Sequence, residues 1–390
     1  MDDLISFLNK IIFNVNGFDF SVIDTILLGF AISFALWQII FHYYYFLKIY
    51  RFKSKVPDPE FCPPVSIVIC AKNEKENLRE NLSAILEQDY PDFEVVVVND
   101  ASWDGTDEIL KYYEEKYPHL KIVEVREDIK RIDGKKFPLT MGIKAAKNEL
   151  LLLSDADCKP VSNDWIRWMI APYENEKIEL VLGYSPYQNG FGLLNLFIRA
   201  ETSLTAMLYF SFALARKPYM GVGRNLSYKR SLFFKHKGFA SHHHIPAGDD
   251  DLFVRDAATA YNTAVVLHPN ARILTKPKNK VAKWVKQKRR HLFVGKFYNP
   301  NIKRSLSAFS FSHFFFWTFI FCLLALSNHH WLTLGIIGAK WILQWPVVFL
   351  AFKKLGYRLL ALFMPLLDIA YIAYALFSAL VLFFSKKPKW

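Results

Sequence analysis

Residues 65–78 read VSIVICAKNEKENL: a short run built from Val, Ile, Ser and Cys, a polar turn, and then charged residues at helical spacing. A near-continuous apolar run of this length, followed at once by a helix, reads as a strand buried on both faces. The pattern recurs. Further strands are expected at 93–98 (FEVVVV), 121–125 (KIVEV) and 150–153 (LLLL), with helices at 74–87, 106–117 and 138–146. Pro57, Pro59, Pro63 and Pro64 form a stiff linker ahead of the first strand. Strands alternating with amphipathic helices predict an α/β fold, Rossmann-like, with a mostly parallel sheet covered on both faces. In such sheets ligands bind beyond the carboxyl ends of the strands.

Those ends carry the polar residues. The first strand leads into Ala71, Lys72, Asn73 and Glu74, the second into Asn99 and Asp100, and the fourth into Ser154, Asp155, Ala156 and Asp157. No GxGxxG follows the first strand and no GxxxxGK[ST] occurs anywhere, which argues against a dinucleotide enzyme and a P-loop ATPase. Asp155 and Asp157, at i and i+2, can approach one hard cation from a single loop, and Mg²⁺ or Mn²⁺ accepts one or two carboxylates together with phosphate oxygens. The plainer alternative is a polar turn, where Asp is common for its own reasons.

A hydrophobic fraction of 52% is high for a soluble chain of 390 residues. The excess sits at the ends, in segments 25–47, 308–326, 331–352 and 359–384, each about long enough to cross the ~30 Å hydrocarbon layer as a helix. The first is too long for a signal-peptide core and is expected to remain as an anchor. This divides the chain into an anchor region 1–52, a globular region 53–304 and a C-terminal helical region 305–390. Lys48, Arg51, Lys53 and Lys55 follow the first segment, so the positive-inside rule assigns the globular region to the cytoplasm, at an inner membrane. Lys386, Lys387 and Lys389 in the tail disagree with three full C-terminal spans, and one of the three is expected to be re-entrant or interfacial. The segment 191–215 is expected to be an interfacial helix.

The net charge is +13, and no Asp or Glu lies between Asp256 and Asp368. Residues 275–291, TKPKNKVAKWVKQKRRH, hold eight Lys or Arg. A basic stretch just before a membrane segment favours lipid phosphates or a phosphorylated ligand over nucleic acid. Four cysteines without CxxC spacing exclude a structural zinc site. Asp249, Asp250 and Asp251 open an expected helix ending near residue 260; one Asp there is an ordinary cap, but three exceed what a cap requires. Gln287, Arg290 and His291 share one helix face. His242, His243 and His244 are adjacent and do not easily converge on one ion, so a mobile loop is the expected reading.

Taken together, these stretches resemble the membrane-embedded family 2 glycosyltransferases, relatives of cellulose, hyaluronan and poly-N-acetylglucosamine synthases, over residues 65–295. The resemblance implies a GT-A fold. It implies that Ala71, Asn73, Glu74 and Asp100 border the uridine and diphosphate of a UDP-sugar, that Lys135 of the Gly134-Lys135 turn faces the diphosphate, and that Asp155 and Asp157 hold the metal. The family's acidic motif supplies the general base, which is Asp249 when counted back from Leu252 and Asp250 when aligned on its Gly-Asp-Asp form. Gln287 and Arg290 match its Gln-x-x-Arg-Trp, with Arg toward the diphosphate; His291 stands where the family has the acceptor-facing Trp. Gly223, Arg224 and Asn225 resemble its acceptor-side strand.

The resulting expectation is an inverting transfer of a sugar from a UDP-sugar donor to a lipid-linked or polysaccharide acceptor, with Mg²⁺ or Mn²⁺ and no nucleic acid. A non-catalytic nucleotide-sugar-binding membrane subunit is the alternative.

Overall fold

The computed structural model describes residues 12–15, 18–127 and 134–384, so the basic tail at 386–389 lies outside the described residues. The chain divides into two compact units, one of Met1–Tyr50, Pro300–Lys353 and Tyr357–Ala379, the other of Arg51–Asn299 with Lys354–Gly356 and Leu380–Trp390.

The first unit is mostly helical, with a two-stranded hairpin of Ile12–Val15 and Phe18–Ser21 ahead of its first helix, and is that of a membrane protein. Helix α1 (Val22–Arg51) contains a π-helical turn, His42–Phe46, and is capped by Ser21. The helices referred to below, numbered in chain order, are α2 (Lys75–Leu86), α3 (Thr106–Lys116), α4 (Lys136–Ala145), α5 (Leu193–Leu214), α6 (Asp251–Ala257), α7 (Val281–Gly295), α8 (Pro300–Leu326), α9 (His330–Leu355) and α10 (Met364–Phe384); shorter helices at Trp165–Ile170 and Arg230–Lys235 accompany them. Among the described residues, four helical segments are long and apolar enough to cross a membrane: α1, α8, α9 and Arg358–Val381. One of the three C-terminal segments was expected to be re-entrant or interfacial; all three are helical and of spanning length. Small Ala31 and Ala35 of α1 admit Phe316, Trp317 and Ile320 of α8 into close packing. Among the described residues of this unit, Lys340 Nζ on α9 is 2.9 Å from Asp368 Oδ2 on α10, and the same oxygen accepts the Trp341 indole N–H at 3.1 Å.

The second unit is the α/β body. Its sheet strands are β1 (Val65–Ala71), β2 (Phe93–Asp100), β3 (Leu120–Val125), β4 (Leu150–Asp155), β5 (Leu180–Leu182), β6 (Leu226–Lys229) and β7 (Thr263–Val265). Their spatial order is β7-β5-β6-β4-β1-β2-β3. All neighbours pair in parallel except β6, which runs antiparallel to both β4 and β5. The central strands are buried on both faces, as their apolar runs require. Gly142 lets α4 lie hard against the sheet, since a Cβ there would stand 2.7 Å from both Val68 Cγ1 and Val98 Cγ2.

Register fixes the site. Ala71 of β1 pairs with Asn99 of β2, and Cys70 of β1 with Asp155 of β4. Three strands therefore end level, and the loops after them open at one edge. The expected strands and the first three helices of this unit match those observed to within two residues at each end; the helix at Asp251 stops earlier, at Ala257, and α8 begins at Pro300 rather than 305.

Candidate active site

The loops after β1 and β2 clasp each other. The Asn73 N–H donates to Ser102 Oγ at 2.9 Å, and Asn73 Oδ1 accepts the Trp103 N–H at 3.0 Å. The Glu74 N–H donates to Thr106 Oγ1 at 3.0 Å and the Lys75 N–H to Asp104 Oδ2 at 3.1 Å. Asn73 and Ala101 both adopt left-handed backbone, φ 56° and 50°. Asn tolerates that region; Ala does so only where the surroundings hold it, at a cost of roughly 1–2 kcal/mol. Asn73, expected to border the nucleotide, thus uses its amide oxygen to tie two site loops together. Ala71 and Asp100 are buried at the strand ends.

Glu74 faces the end of β4. Asn77 Nδ2 donates to its carboxylate at 2.5 Å, and its pKa is raised first by burial and then by Asp157 and Asp155. The donor atoms of Asp155, Asp157 and Cys158 lie within 4.8 Å of one another. The Cys158 thiol, buried and beside two acids, is pushed well above the ordinary range, so it stays protonated and is a poor partner for a cation. The two carboxylates are the donor set that suits a hard divalent ion.

Lys135, at the start of α4, contacts Asp155 directly, and its Nζ is 3.9 Å from Asp249 Oδ2. Burial alone would favour the neutral amine, but Asp155 and Asp249 outweigh it and hold the pKa well above the usual lysine value. Burial likewise opposes ionisation of Asp155, and Lys135 overcomes it.

The three consecutive aspartates have three different surroundings. Asp250 accepts the Gly223 N–H at 2.8 Å on one oxygen and the Asp251 N–H at 2.8 Å on the other. Asp251 is buried and accepts the Tyr298 hydroxyl at 3.0 Å. Asp249 turns toward Lys135 and lies within electrostatic reach of Arg290. Burial and then Asp250 raise its pKa to about 6, with Lys135 opposing.

Helix α7 packs along α5 through Phe197 against Trp284, ring centroids 5.6 Å apart, and through a buried Lys288–Glu201 ion pair. The basic stretch is therefore built into the α/β unit on one face: Lys276 pairs with Glu80, and Lys278 acts on Glu74 and Asp155. Gln287 Nε2 donates to the Tyr187 hydroxyl at 3.1 Å. His291 is enclosed by protein on several sides yet open to solvent; that enclosure, then Lys288, Arg224 and Arg290, hold its pKa down to about 3.

The trio Gly223, Arg224 and Asn225, expected on the acceptor side, separates. Asn225 is fully buried, donates to the carbonyls of Tyr184 and Ala271 at 2.8 Å each, and accepts the Trp165 indole N–H at 3.0 Å. Its amide is taken up by hydrogen bonds within the fold. Gly223 serves Asp250. Arg224 lies among Asp157, Asp155 and Tyr187.

Sequence reasoning missed Lys136. Its buried Nζ donates to the carbonyls of His242 at 2.7 Å and Ile245 at 2.8 Å, anchoring the loop that leads to Asp249. The signal was a second lysine at a helix N-terminus, where the dipole disfavours a cation unless something specific holds it. The His242 ring bonds Ser241, which donates to Asp256 at 2.7 Å. His243 and His244 are exposed, with ring centroids 5.6 Å apart. The loop expected to be mobile is tied at two points.

Residues 66–235 match the model of the glycosyl transferase family 2 domain. The chain carries a family 2 glycosyltransferase domain. The glycosyltransferase AglE of Haloferax volcanii is 32% identical over 123 residues, 31% of this chain and 39% of that protein. The poly-beta-1,6-N-acetyl-D-glucosamine synthase of Staphylococcus epidermidis is 31% identical over 157 residues, 39% of this chain and 36% of that protein. The chain thus spans less than two fifths of the length of these relatives, 39% at most. Among solved structures, a mannosyltransferase of Pyrobaculum calidifontis in complex with GDP-Man and Mn²⁺ superposes with TM-score 0.55 at 20% identity, over 88% of this chain and 99% of that one. That likeness is one of fold. The glycosyltransferase domain model ends before the Asp249 cluster and α7, so their roles rest on geometry.

Proposed function

We propose that the protein is a metal-dependent, inverting glycosyltransferase that moves a sugar from a nucleotide-sugar donor, a UDP-sugar, to a lipid-linked or polysaccharide acceptor at the membrane. The observation that carries this reading is Lys135, which touches Asp155 at the end of β4 and faces Asp249 in the loop before α6. A cation-binding carboxylate and a free carboxylate of raised pKa meet at one ammonium.

In this mechanism the acceptor oxygen attacks the anomeric carbon, its proton passes to Asp249, and the bond from that carbon to the diphosphate oxygen breaks, leaving its electron pair on the diphosphate. Inversion follows from a single displacement. A base near pKa 6 is deprotonated at neutral pH and still basic enough to take a proton in the transition state. Asp250 and Asp251 are held by Gly223 and Tyr298, which favours Asp249 in this role. Lys135 and Arg290 offset the charge that develops on the leaving diphosphate. Asp155 and Asp157 would hold Mg²⁺ or Mn²⁺, which when bound neutralises diphosphate charge. The Pyrobaculum neighbour, solved with GDP-Man and Mn²⁺, supports a nucleotide-sugar donor and a metal without deciding the base. The basic flank after α1 supports a catalytic unit on the cytoplasmic side of an inner membrane.

The test is donor screening in purified membranes with Mn²⁺ or Mg²⁺, using UDP- and GDP-sugars, with the anomeric configuration of the product read by NMR. A product anomer opposite to the donor, lost with chelator and with Asp157→Asn, is the expected result. Retention of configuration, or full activity in Asp157→Asn, would remove the mechanism.

A further inference from the structure

Gln287 was expected to meet the donor, but its amide instead donates to the Tyr187 hydroxyl at 3.1 Å. Tyr187 in turn carries a guanidinium on its ring face: Arg224 sits 5.0 Å from the ring centroid. The backbone of Arg224 is fixed on both sides, because the Gly223 N–H is held by Asp250 and the Asn225 side chain by Trp165, Tyr184 and Ala271. The antiparallel register of β6 on β4 pairs Leu226 with Leu153, and Arg224 lies in the short 3₁₀ turn, Gly223–Asn225, that leads into β6, within electrostatic reach of Asp155.

The side chain itself has little to hold. Its Nε is buried with no hydrogen-bond partner among the described residues, and its contact with the Ser185 carbonyl is stretched to 3.5 Å. Asp155 and Asp157 lie within electrostatic reach of it, but neither is hydrogen-bonded to it among the described residues. A planar donor fork stacked on an aromatic face, beside carboxylates suited to a metal and with its Nε unpartnered among the described residues, is the arrangement that grips a phosphate in two-point fashion.

We infer that Arg224 is a diphosphate-binding residue, contacting the terminal phosphate of a nucleoside diphosphate, and that Tyr187 and Gln287 are positioning residues that keep its guanidinium aimed there. This rests on the nucleotide-sugar reading above. It moves Arg224 from the acceptor side to the donor side, and it gives Gln287 an indirect role.

The experiment compares binding of UDP with UMP, and of GDP with GMP, to the full-length protein in detergent at two Mg²⁺ concentrations. Arg224→Gln should weaken the diphosphate about tenfold and leave the monophosphate unchanged, and Arg224→Lys should recover only part, since charge returns without the fork. Tyr187→Leu should weaken the diphosphate by several-fold, and Tyr187→Phe or Gln287→Leu by less, roughly twofold to threefold, with the monophosphate again unaffected. Equal losses for diphosphate and monophosphate would mean a fold or nucleoside effect and would overturn the assignment. Recovery of diphosphate binding at the higher Mg²⁺ would mean that Arg224 only tunes the metal, and would overturn it too. Wild-type protein that binds neither UDP nor GDP would bring down the nucleotide-sugar reading itself, whereas wild-type binding with an unaffected Arg224→Gln would remove this inference alone.

Discussion

The Lys135 ammonium stands 3.9 Å from the Asp249 carboxylate while touching Asp155, so one side chain joins the end of β4 to the loop before α6. Removing it should act on both ends. Lys135→Met should abolish detectable transfer. In any residual activity, the acid limb of the pH profile should move to higher pH, because a cation that favours ionised Asp249 has gone.

The pH dependence has a definite sign. Asp249 titrates at about 6 in the folded protein and near 3.8 unfolded, so kcat/KM should rise through pH 6 as the base ionises. The raised value means that ionisation works against folding. The cost is absent below the unfolded pKa and fully present above 6, where Asp249→Asn should therefore stabilise the α/β unit by up to about 3 kcal/mol. Thermal melts at pH 4 and pH 7.5 check this, the variant gaining on wild type only at the higher pH.

Lys136 holds the loop ahead of Asp249 by two carbonyls, His242 and Ile245. Lys136→Met should lower turnover by about tenfold or more, as a small displacement of a reacting group does, while UDP affinity changes by less than about twofold. Lys136→Arg should restore part of the turnover. Equal losses in binding and turnover would show that the loop serves the donor site as a whole.

Inside the helical unit, Asp368→Leu leaves the Lys340 ammonium buried without its carboxylate and should cost about 3–5 kcal/mol. Lys340→Met combined with Asp368→Leu should recover most of that. Unfolding of the four variants of this cycle in detergent measures the coupling.

How much of this was legible in the sequence depended on the kind of signal. Strands such as VSIVIC and LLLL announce themselves because both faces must be apolar, and register then levels Ala71, Asn99 and Asp155 whatever the loops contain. β6 was harder: LSYK is short, and nothing in it says that it enters the sheet antiparallel. Asp249, Asp250 and Asp251 are spelled alike, and only their partners, Lys135, Gly223 and Tyr298, tell them apart. Asn225 and Lys136 are polar residues satisfied by carbonyls far away in sequence, which no local pattern encodes. The expectation of a re-entrant or interfacial segment came from tail charges at 386–389, which lie outside the described residues, and Arg358–Val381 has the length and hydropathy of a candidate span.

The central claim is that Asp249, and not its neighbour, takes the acceptor proton. Single-turnover transfer from a bound nucleotide sugar, measured side by side in Asp249→Asn and Asp250→Asn, addresses it directly. The account predicts a loss of about 10²–10⁴-fold in Asp249→Asn with donor binding intact, and a smaller kinetic loss with lowered thermal stability in Asp250→Asn. Undiminished transfer in Asp249→Asn, or the larger kinetic loss falling on Asp250→Asn, would contradict it.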